Sequence, residues 1–290
     1  MTEKRLHAAG VATLAVERFA SPAEFLSAAE GSLSVAEVEN ALILGVARDL
    51  ASGRRAGVSE PYFACVREGK ELRMCAFRSL PDKAGITRAN DPAVLGLLAD
   101  DLREACPGIR EIVGPEPTVG AFAEILSRLQ GRGAELVRKS RIHVLRMVNP
   151  VTPSAAGRLR PGRESDLGLV SRWLQEFLME IGEEGIPGDI GERWLREGKI
   201  YLWEADSPVS VAAATGKTAK GIRISFVYTP PEHRNRGYAT ASVAALSQLL
   251  LDQGNEYCCL YTDLANPTSN KIYRQIGYEP VCDAASYALV

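Results

Sequence analysis

Two short stretches of this chain hold side chains whose types and spacing suit chemistry. The first reads Arg234-Asn235-Arg236-Gly237-Tyr238-Ala239-Thr240 and follows the proline pair Pro230-Pro231. Glycine lets a ligand come close to the backbone, and alanine keeps the next turn small. Two guanidinium groups beside the free amides of a helix start favour an anion of pyrophosphate size. In the second stretch, Asn266, Asn270 and Tyr273 stand at i, i+4 and i+7, so all three project on roughly one side of a helix. That side offers amides to hold a polar ligand and a phenol to give up a proton.

These residues need elements to position them. Residues 222–229 are β-branched and aromatic, the four residues 230–233 contain two prolines, and the segment to Leu251 repeats at helical spacing. This predicts a strand, a tight loop and a helix that begins near Gly237. Ala239, Val243, Leu246 and Leu250 give that helix one apolar face, which packs on the sheet. Residues 257–263 read as a second strand. After it, Asn266 before Pro267 reads as an N-cap with proline at the first helical position, and Gly277 as the helix end.

The spacing Arg-x-x-Gly-x-Ala after Val227-Tyr228-Thr229-Pro230, followed by the asparagine–tyrosine helix, resembles the GNAT superfamily of acyltransferases. The resemblance implies acetyl-CoA as cosubstrate, with no metal. It implies that Arg234, Asn235, Arg236, Gly237, Tyr238, Ala239 and Thr240 hold the pyrophosphate arm. By the same resemblance the backbone of Val227, Tyr228 and Thr229 meets the pantetheine and the acetyl carbonyl, Asn266 and Asn270 lie near the coenzyme, and Tyr273 lies beside the thioester sulfur. The implied activity is transfer of an acetyl group to a primary amine of unknown identity by direct attack on the thioester.

That reaction needs a neutral amine, a held carbonyl and a proton for the leaving thiolate. Neutralising an alkylammonium of pKa ~10.4 at pH 7 costs about 4 to 5 kcal/mol. Some members of the superfamily keep a glutamate on the strand, whereas this chain has no acidic residue there before Glu232. The base is therefore open between Asp263 and Glu204, and Asp263 reads equally well as an electrostatic cap for the helix after it. Tyr273 is the expected general acid. A phenol near pKa ~10 protonates a thiolate of about 8.5 uphill by roughly 2 kcal/mol. Without a base, the same motifs would suit a non-catalytic coenzyme A or acyl-CoA sensor. Trp173, Phe177, Trp194 and Trp203 fall where the resemblance places the acceptor site, with core packing as their main role.

Composition narrows the alternatives. The 290 residues, 46% hydrophobic and 24% charged with a net charge of −2, suggest two ordinary globular domains. Nothing in that balance suggests nucleic acid, and no apolar run reaches the ~18 residues of a membrane span. A cytoplasmic monomer or homodimer is expected. The six cysteines form no Cys-x-x-Cys pair, and His7, His143 and His233 have no metal-ligand spacing, so neither zinc nor a disulfide framework is expected.

Taken in order, residues 1–20 carry no clear signal. Helices are expected over 21–33 and 34–50, a hairpin over 62–67 and 72–80 about Glu68-Gly69-Lys70-Glu71, and a strand over 84–89. A helix over 92–105, a strand over 109–113, a helix over 119–129 and one or two strands over 135–147 follow. The second half repeats the order: helices over 166–181 and 190–197, a hairpin over 199–205 and 208–215, then the two motif units. The expected fold is α/β (α+β), two GNAT-like units, each a mixed, mostly antiparallel sheet flanked by helices. Residues 1–150 form a degenerate unit and 151–290 the catalytic one, joined near 149–157 about Ser154. In the first unit the corresponding loop, Thr87-Arg88-Ala89-Asn90-Asp91-Pro92, lacks the glycine spacing and adds a carboxylate that would repel the coenzyme.

Overall fold

The computed structural model of the protein describes residues 4–6, 13–53, 61–151, 155–183 and 188–290. His7 and Ser154 lie outside the described residues. The chain divides into two compact units, Met1–Ile142 with Val281–Val290, and His143–Pro280. The division thus falls before the expected join at 149–157. The C-terminal segment, expected in the second unit, is counted with the first.

In the first unit, β1 (Lys4–Leu6), β2 (Leu14–Arg18), β3 (Phe63–Glu68), β4 (Glu71–Leu80) and β5 (Lys83–Ile86) pair antiparallel in sequence order. Then β5 pairs parallel with β6 (Glu111–Pro115), and β6 pairs antiparallel with the C-terminal strand Glu279–Leu289. The long strand β7 (Ala134–Leu145) follows in the sheet. Helices α3 (Pro92–Ala105) and α4 (Thr118–Gln130) bury Leu98, Leu102, Phe122 and Leu126 against Val66, Met74 and Ile112. Helices α1 (Pro22–Leu33) and α2 (Ala41–Ala51) bury Phe25 and Leu44 against Phe63, Cys65, Cys75 and Phe77. Neighbouring residues of β3 and β4 serve opposite clusters, so the helix pairs cover the two faces of the sheet.

The helix expected over 34–50 starts only at Ala41. Residues Ser34–Ala36 form a single 3-10 turn, and the Asn40 side-chain amide donates to the Leu33 carbonyl at 3.0 Å, which ends the preceding helix and sets the next apart. Strand β2 lies where the sequence shows no clear signal, and β7 is one strand.

The second unit has the strand order β12-β11-β10-β9-β8, from β8 (Arg158–Pro161), β9 (Ile200–Glu204), β10 (Pro208–Thr215), β11 (Gly221–Tyr228) and β12 (Tyr257–Asp263). All neighbours are antiparallel except β11 and β12. On one face, α7 (Tyr238–Asp252) and α8 (Pro267–Ile276) bury Val243, Leu246, Leu250 and Ile276 against Ala212, Ala214 and Ile224. Ala239, expected on that apolar face, is only half-buried, because it lies in the first turn at the open end of the helix. On the other face, α5 (Leu167–Ile181) and α6 (Ile190–Arg196) lie over Leu202, Val211, Ala213, Phe226 and Tyr228. Each unit is therefore a mixed, mostly antiparallel sheet flanked by helices, as expected.

The parallel pairing of β11 with β12 is short, Gly221 to Arg223 against Tyr257 to Cys259. It depends on close approach at Gly221, where a Cβ would stand 2.2 Å from the Tyr257 ring. The ring is held in turn by its hydroxyl, 3.0 Å from the Thr218 hydroxyl. Gly221→Ala is therefore expected to destabilise the fold by about 1–3 kcal/mol, as overpacking does, read as a lower urea midpoint at unchanged slope.

Candidate active site

Beyond Arg223 and Cys259 the register of β11 with β12 ends, although both strands run on. Backbone groups on the facing edges are thereby left to other partners. On its other side β11 carries a bulge. Ala213 pairs with Ser225 and Val211 with Tyr228, so two residues of β11 oppose one of β10, and Phe226 takes φ 48°. The bulge reverses the strand's facing. Ile222 and Ile224 point to the α7 side, but after the extra residue Phe226 and Tyr228 point to the α5 side and Val227 to the α7 side. Ser210 then fixes the strand end, its hydroxyl lying 3.1 Å from the Tyr228 carbonyl and 2.8 Å from the Thr229 hydroxyl.

The loop after β11 holds two left-handed residues, Asn235 at φ 61° and Gly237 at φ 77°. Gly237 is the N-cap of α7 and brings no side chain to the helix start, and a Cβ there would meet only the Ala155 methyl at 3.7 Å. The first intrahelical bond runs from the Ala241 amide to the Gly237 carbonyl at 3.0 Å, so the amides of Tyr238, Ala239 and Thr240 precede it. Arg236 is exposed beside them. Arg234 turns the other way. Its Nε donates to the Thr229 carbonyl at 2.8 Å, its Nη2 to Glu180 at 2.5 Å, and its guanidinium carbon stands 5.7 Å from the centre of the Tyr228 ring.

The second motif forms the delimited helix expected of it. Asn266 caps α8 by accepting the Ser269 amide at 3.1 Å, and Gly277 ends it at φ 109°. The Asn270 amide donates to the carbonyls of Asn266 at 2.8 Å and Asp263 at 3.1 Å, binding helix to strand end. Asp263 accepts the Ala265 amide at 2.7 Å and so serves the turn before the helix. Tyr273 is buried in the cluster that contains Ile224 and Leu260, edge-on to Tyr278 with ring centres 5.8 Å apart. Burial raises its phenol well above the usual value, so it stays protonated at neutral pH.

At the end of β11 an open pocket of 430 Å³ is lined by Arg172, Trp173, Glu176, Met179, Glu180, Tyr228, Pro231 and Glu232. The Tyr228 hydroxyl donates to Glu176 at 3.0 Å. Burial first, then this carboxylate, pushes its phenol up to about 12. Glu176 and Glu180 are the residues that the sequence reading missed. The available signal was the stripe Arg172, Glu176, Glu180 at i, i+4 and i+8 on the same helix as Trp173 and Phe177. Of the aromatics, Trp173, Phe177 and Trp194 pack in the α5 cluster, and Trp203 Nε1 donates to the Ala156 carbonyl at 3.0 Å.

Glu204, a candidate base from sequence, is engaged elsewhere. Arg160 donates to it at 2.7 Å and to Asp166 at 2.7 and 3.0 Å, and these bonds hold both carboxylates below the usual range. A carboxylate stabilised as the anion is a poorer proton acceptor. Because the folded pKa values lie below the unfolded ones, near 3.9 and 4.3, this stability is complete above about pH 4.5 and is lost as pH falls through the folded values. Asp166→Asn is expected to cost about 2 kcal/mol at pH 7 and to flatten the acid limb of stability against pH, as measured by urea unfolding from pH 7 to 2.

The corresponding loop of the first unit differs. The carboxylate of Asp91 caps α3 by accepting the Ala93 amide at 2.9 Å, and Pro92 opens the helix. Arg88 binds both oxygens of Glu39, at 2.9 and 3.1 Å, and donates to the Glu116 carbonyl at 2.9 Å. Among the described residues, no His, Cys, Asp and Glu side chains gather as a metal site, and no helix is long and apolar enough to cross a membrane.

Residues 206–287 match the FR47-like protein family. A Drosophila protein of known structure is similar in fold, at 13% identity over 97% of this chain and 99% of its own, with a TM-score of 0.67. A GCN5-related N-acetyltransferase from Sphaerobacter thermophilus shares 15% identity over 94% of each chain, with a TM-score of 0.60. A tandem GNAT protein from the clavulanic acid biosynthesis pathway shares 12% identity over 96% of this chain and 98% of its own, with a TM-score of 0.56. No curated protein matches the chain.

Proposed function

We propose, for a chain that has the GNAT superfamily fold, that the second unit binds acetyl-CoA and transfers its acetyl group to a primary amine. The observation that carries this reading is the parting of β11 from β12 at Arg223 and Cys259, with the bulge at Phe226, beside a glycine-led helix start. The pyrophosphate arm would lie on the amides of Tyr238, Ala239 and Thr240, with Asn235, Arg236 and Gly237 around it. The pantetheine and the acetyl carbonyl would meet the backbone of Val227, Tyr228 and Thr229 on the edge that β12 leaves, where a fixed amide would be preorganised to stabilise an oxyanion. Asn266 and Asn270 would shape the second wall through the α8 start.

The amine enters the pocket at the end of β11, where Glu176, Glu180 and Glu232 attract an ammonium ion. Glu176 supplies from α5 the carboxylate that β11 lacks, and takes the ammonium proton directly or through water. Asp263 is the less suitable base because its turn already uses it. The neutral nitrogen then attacks the acetyl carbon, the C–S bond breaks, and Tyr273 gives its hydroxyl proton to the departing sulfur. A phenol raised by burial is a reluctant donor, so this transfer has to accompany C–S cleavage, and water returns the proton. The first unit, with Asp91 at its helix start, is proposed not to bind the coenzyme.

Calorimetric titration should find one acetyl-CoA site per chain, abolished by Gly237→Trp. With an acceptor found by screening primary amines, Tyr273→Phe should keep coenzyme affinity while lowering kcat by about 10²-fold, the usual worth of a general acid. Binding without turnover for any amine would favour a coenzyme A sensor.

A further inference from the structure

The motif Arg-x-x-Gly-x-Ala makes Arg234 the natural partner of the pyrophosphate, but its guanidinium is committed elsewhere. One edge meets the Thr229 carbonyl at 2.8 Å, a terminal nitrogen meets Glu180 at 2.5 Å, and the guanidinium lies 5.7 Å from the centre of the Tyr228 ring. All three partners belong to the strand end or the helix that bound the pocket at the end of β11, and Tyr228 and Glu180 line it. Arg236 and the amides of α7 lie on the other side of the loop sequence, beyond the left-handed Asn235.

We propose that Arg234 is a positioning residue of the acceptor pocket and not a ligand of the coenzyme's pyrophosphate. This inference rests on the acetyltransferase reading above. Arg234 ties the phosphate loop to α5, holds the Glu180 side chain against the pocket wall and covers the face of Tyr228. The Tyr228 hydroxyl in turn holds Glu176 at 3.0 Å. One half-exposed ion pair would be a weak tether, since such pairs compete with water. Here the planar fork satisfies a backbone carbonyl and a carboxylate at once while lying against an aromatic ring, an arrangement that lysine cannot reproduce. Specificity for the amine is thereby linked to the coenzyme loop through a residue that joins the end of β11 to α5.

The test uses the full chain and its variants Arg234→Ala, Arg234→Lys, Glu180→Gln and Arg236→Ala, with acetyl-CoA as the titrant. Arg236→Ala should weaken binding about tenfold, the worth of one charge-assisted hydrogen bond. Arg234→Ala, Arg234→Lys and Glu180→Gln should each leave the dissociation constant within about twofold, well under the effect of losing such a bond. If Arg234 instead serves the phosphate, Arg234→Ala weakens binding as much as Arg236→Ala. Glu180→Gln then tightens it by releasing the guanidinium, and Arg234→Lys retains affinity.

Tryptophan fluorescence gives a readout that does not need the coenzyme. Trp173 lines the pocket with its ring centre 6.5 Å from that of Tyr228. Arg234→Ala, Arg234→Lys and Glu180→Gln should change its emission alike, and Arg236→Ala should not. Unlike changes, or no change in the first three, would overturn the proposal. Failure of the unaltered chain to bind acetyl-CoA would instead defeat the acetyltransferase reading and leave the fluorescence comparison to decide the place of Arg234.

Discussion

The site depends on one backbone event, the separation of β11 from β12 after only three paired positions, Gly221 to Arg223 against Tyr257 to Cys259. A parallel pair that stops short inside a sheet leaves amides and carbonyls on both facing edges, and such groups are costly to bury without partners. A ligand that brings its own amide and carbonyl groups meets that requirement, and pantetheine is such a ligand. The bulge at Phe226 is the second half of the same device. It absorbs the extra residue against β10 and turns Phe226 and Tyr228 from the α7 side to the α5 side. The pocket at the end of β11 owes its Tyr228 wall to that reversal. With regular alternation Tyr228 would face α7, and its hydroxyl would not reach Glu176.

The two units differ at the start of one helix. Both have a strand, a loop and a helix at corresponding places. Helix α3 meets its own Asp91 carboxylate and a proline at its start, so one orphan amide is capped and the local charge is negative. Helix α7 meets Gly237, which leaves its start open and close to the positive charge of Arg236. The Arg88 guanidinium, bound to both oxygens of Glu39, and the exposed Arg236 make the same contrast. The supporting core differs less, since the sheet of each unit buries apolar side chains under a pair of helices on each face.

Much of this was legible in the residues, where local chemistry sets the boundaries. The asparagine before α8, the proline that opens it and the glycine after it delimit that helix in sequence as they do in space, and α3 matches its predicted span of 92–105. Strand β8 and the C-terminal strand Glu279–Leu289 were not evident. The first is four residues of alternating arginine, and the second mixes small, polar and apolar residues whose strand character comes from pairing with β6. The carboxylate at the end of β11 was not evident either. Glu176 lies 52 residues from Tyr228 in the chain, separated by a helix, a hairpin and most of β11, and no sequence period reveals that a bulge aims the tyrosine at it. Arg234 and Arg236 look equivalent in sequence, yet the left-handed Asn235 between them sends the first to Glu180 and leaves the second exposed.

Amide hydrogen exchange with and without acetyl-CoA tests the central claim most directly, because the claim concerns backbone groups that the sheet leaves available. Slowed exchange should appear at residues 227–229 and 237–240 of the second unit and be absent at residues 87–93 of the first. Protection at 87–93, or none at 227–229 under saturating coenzyme, would contradict the account.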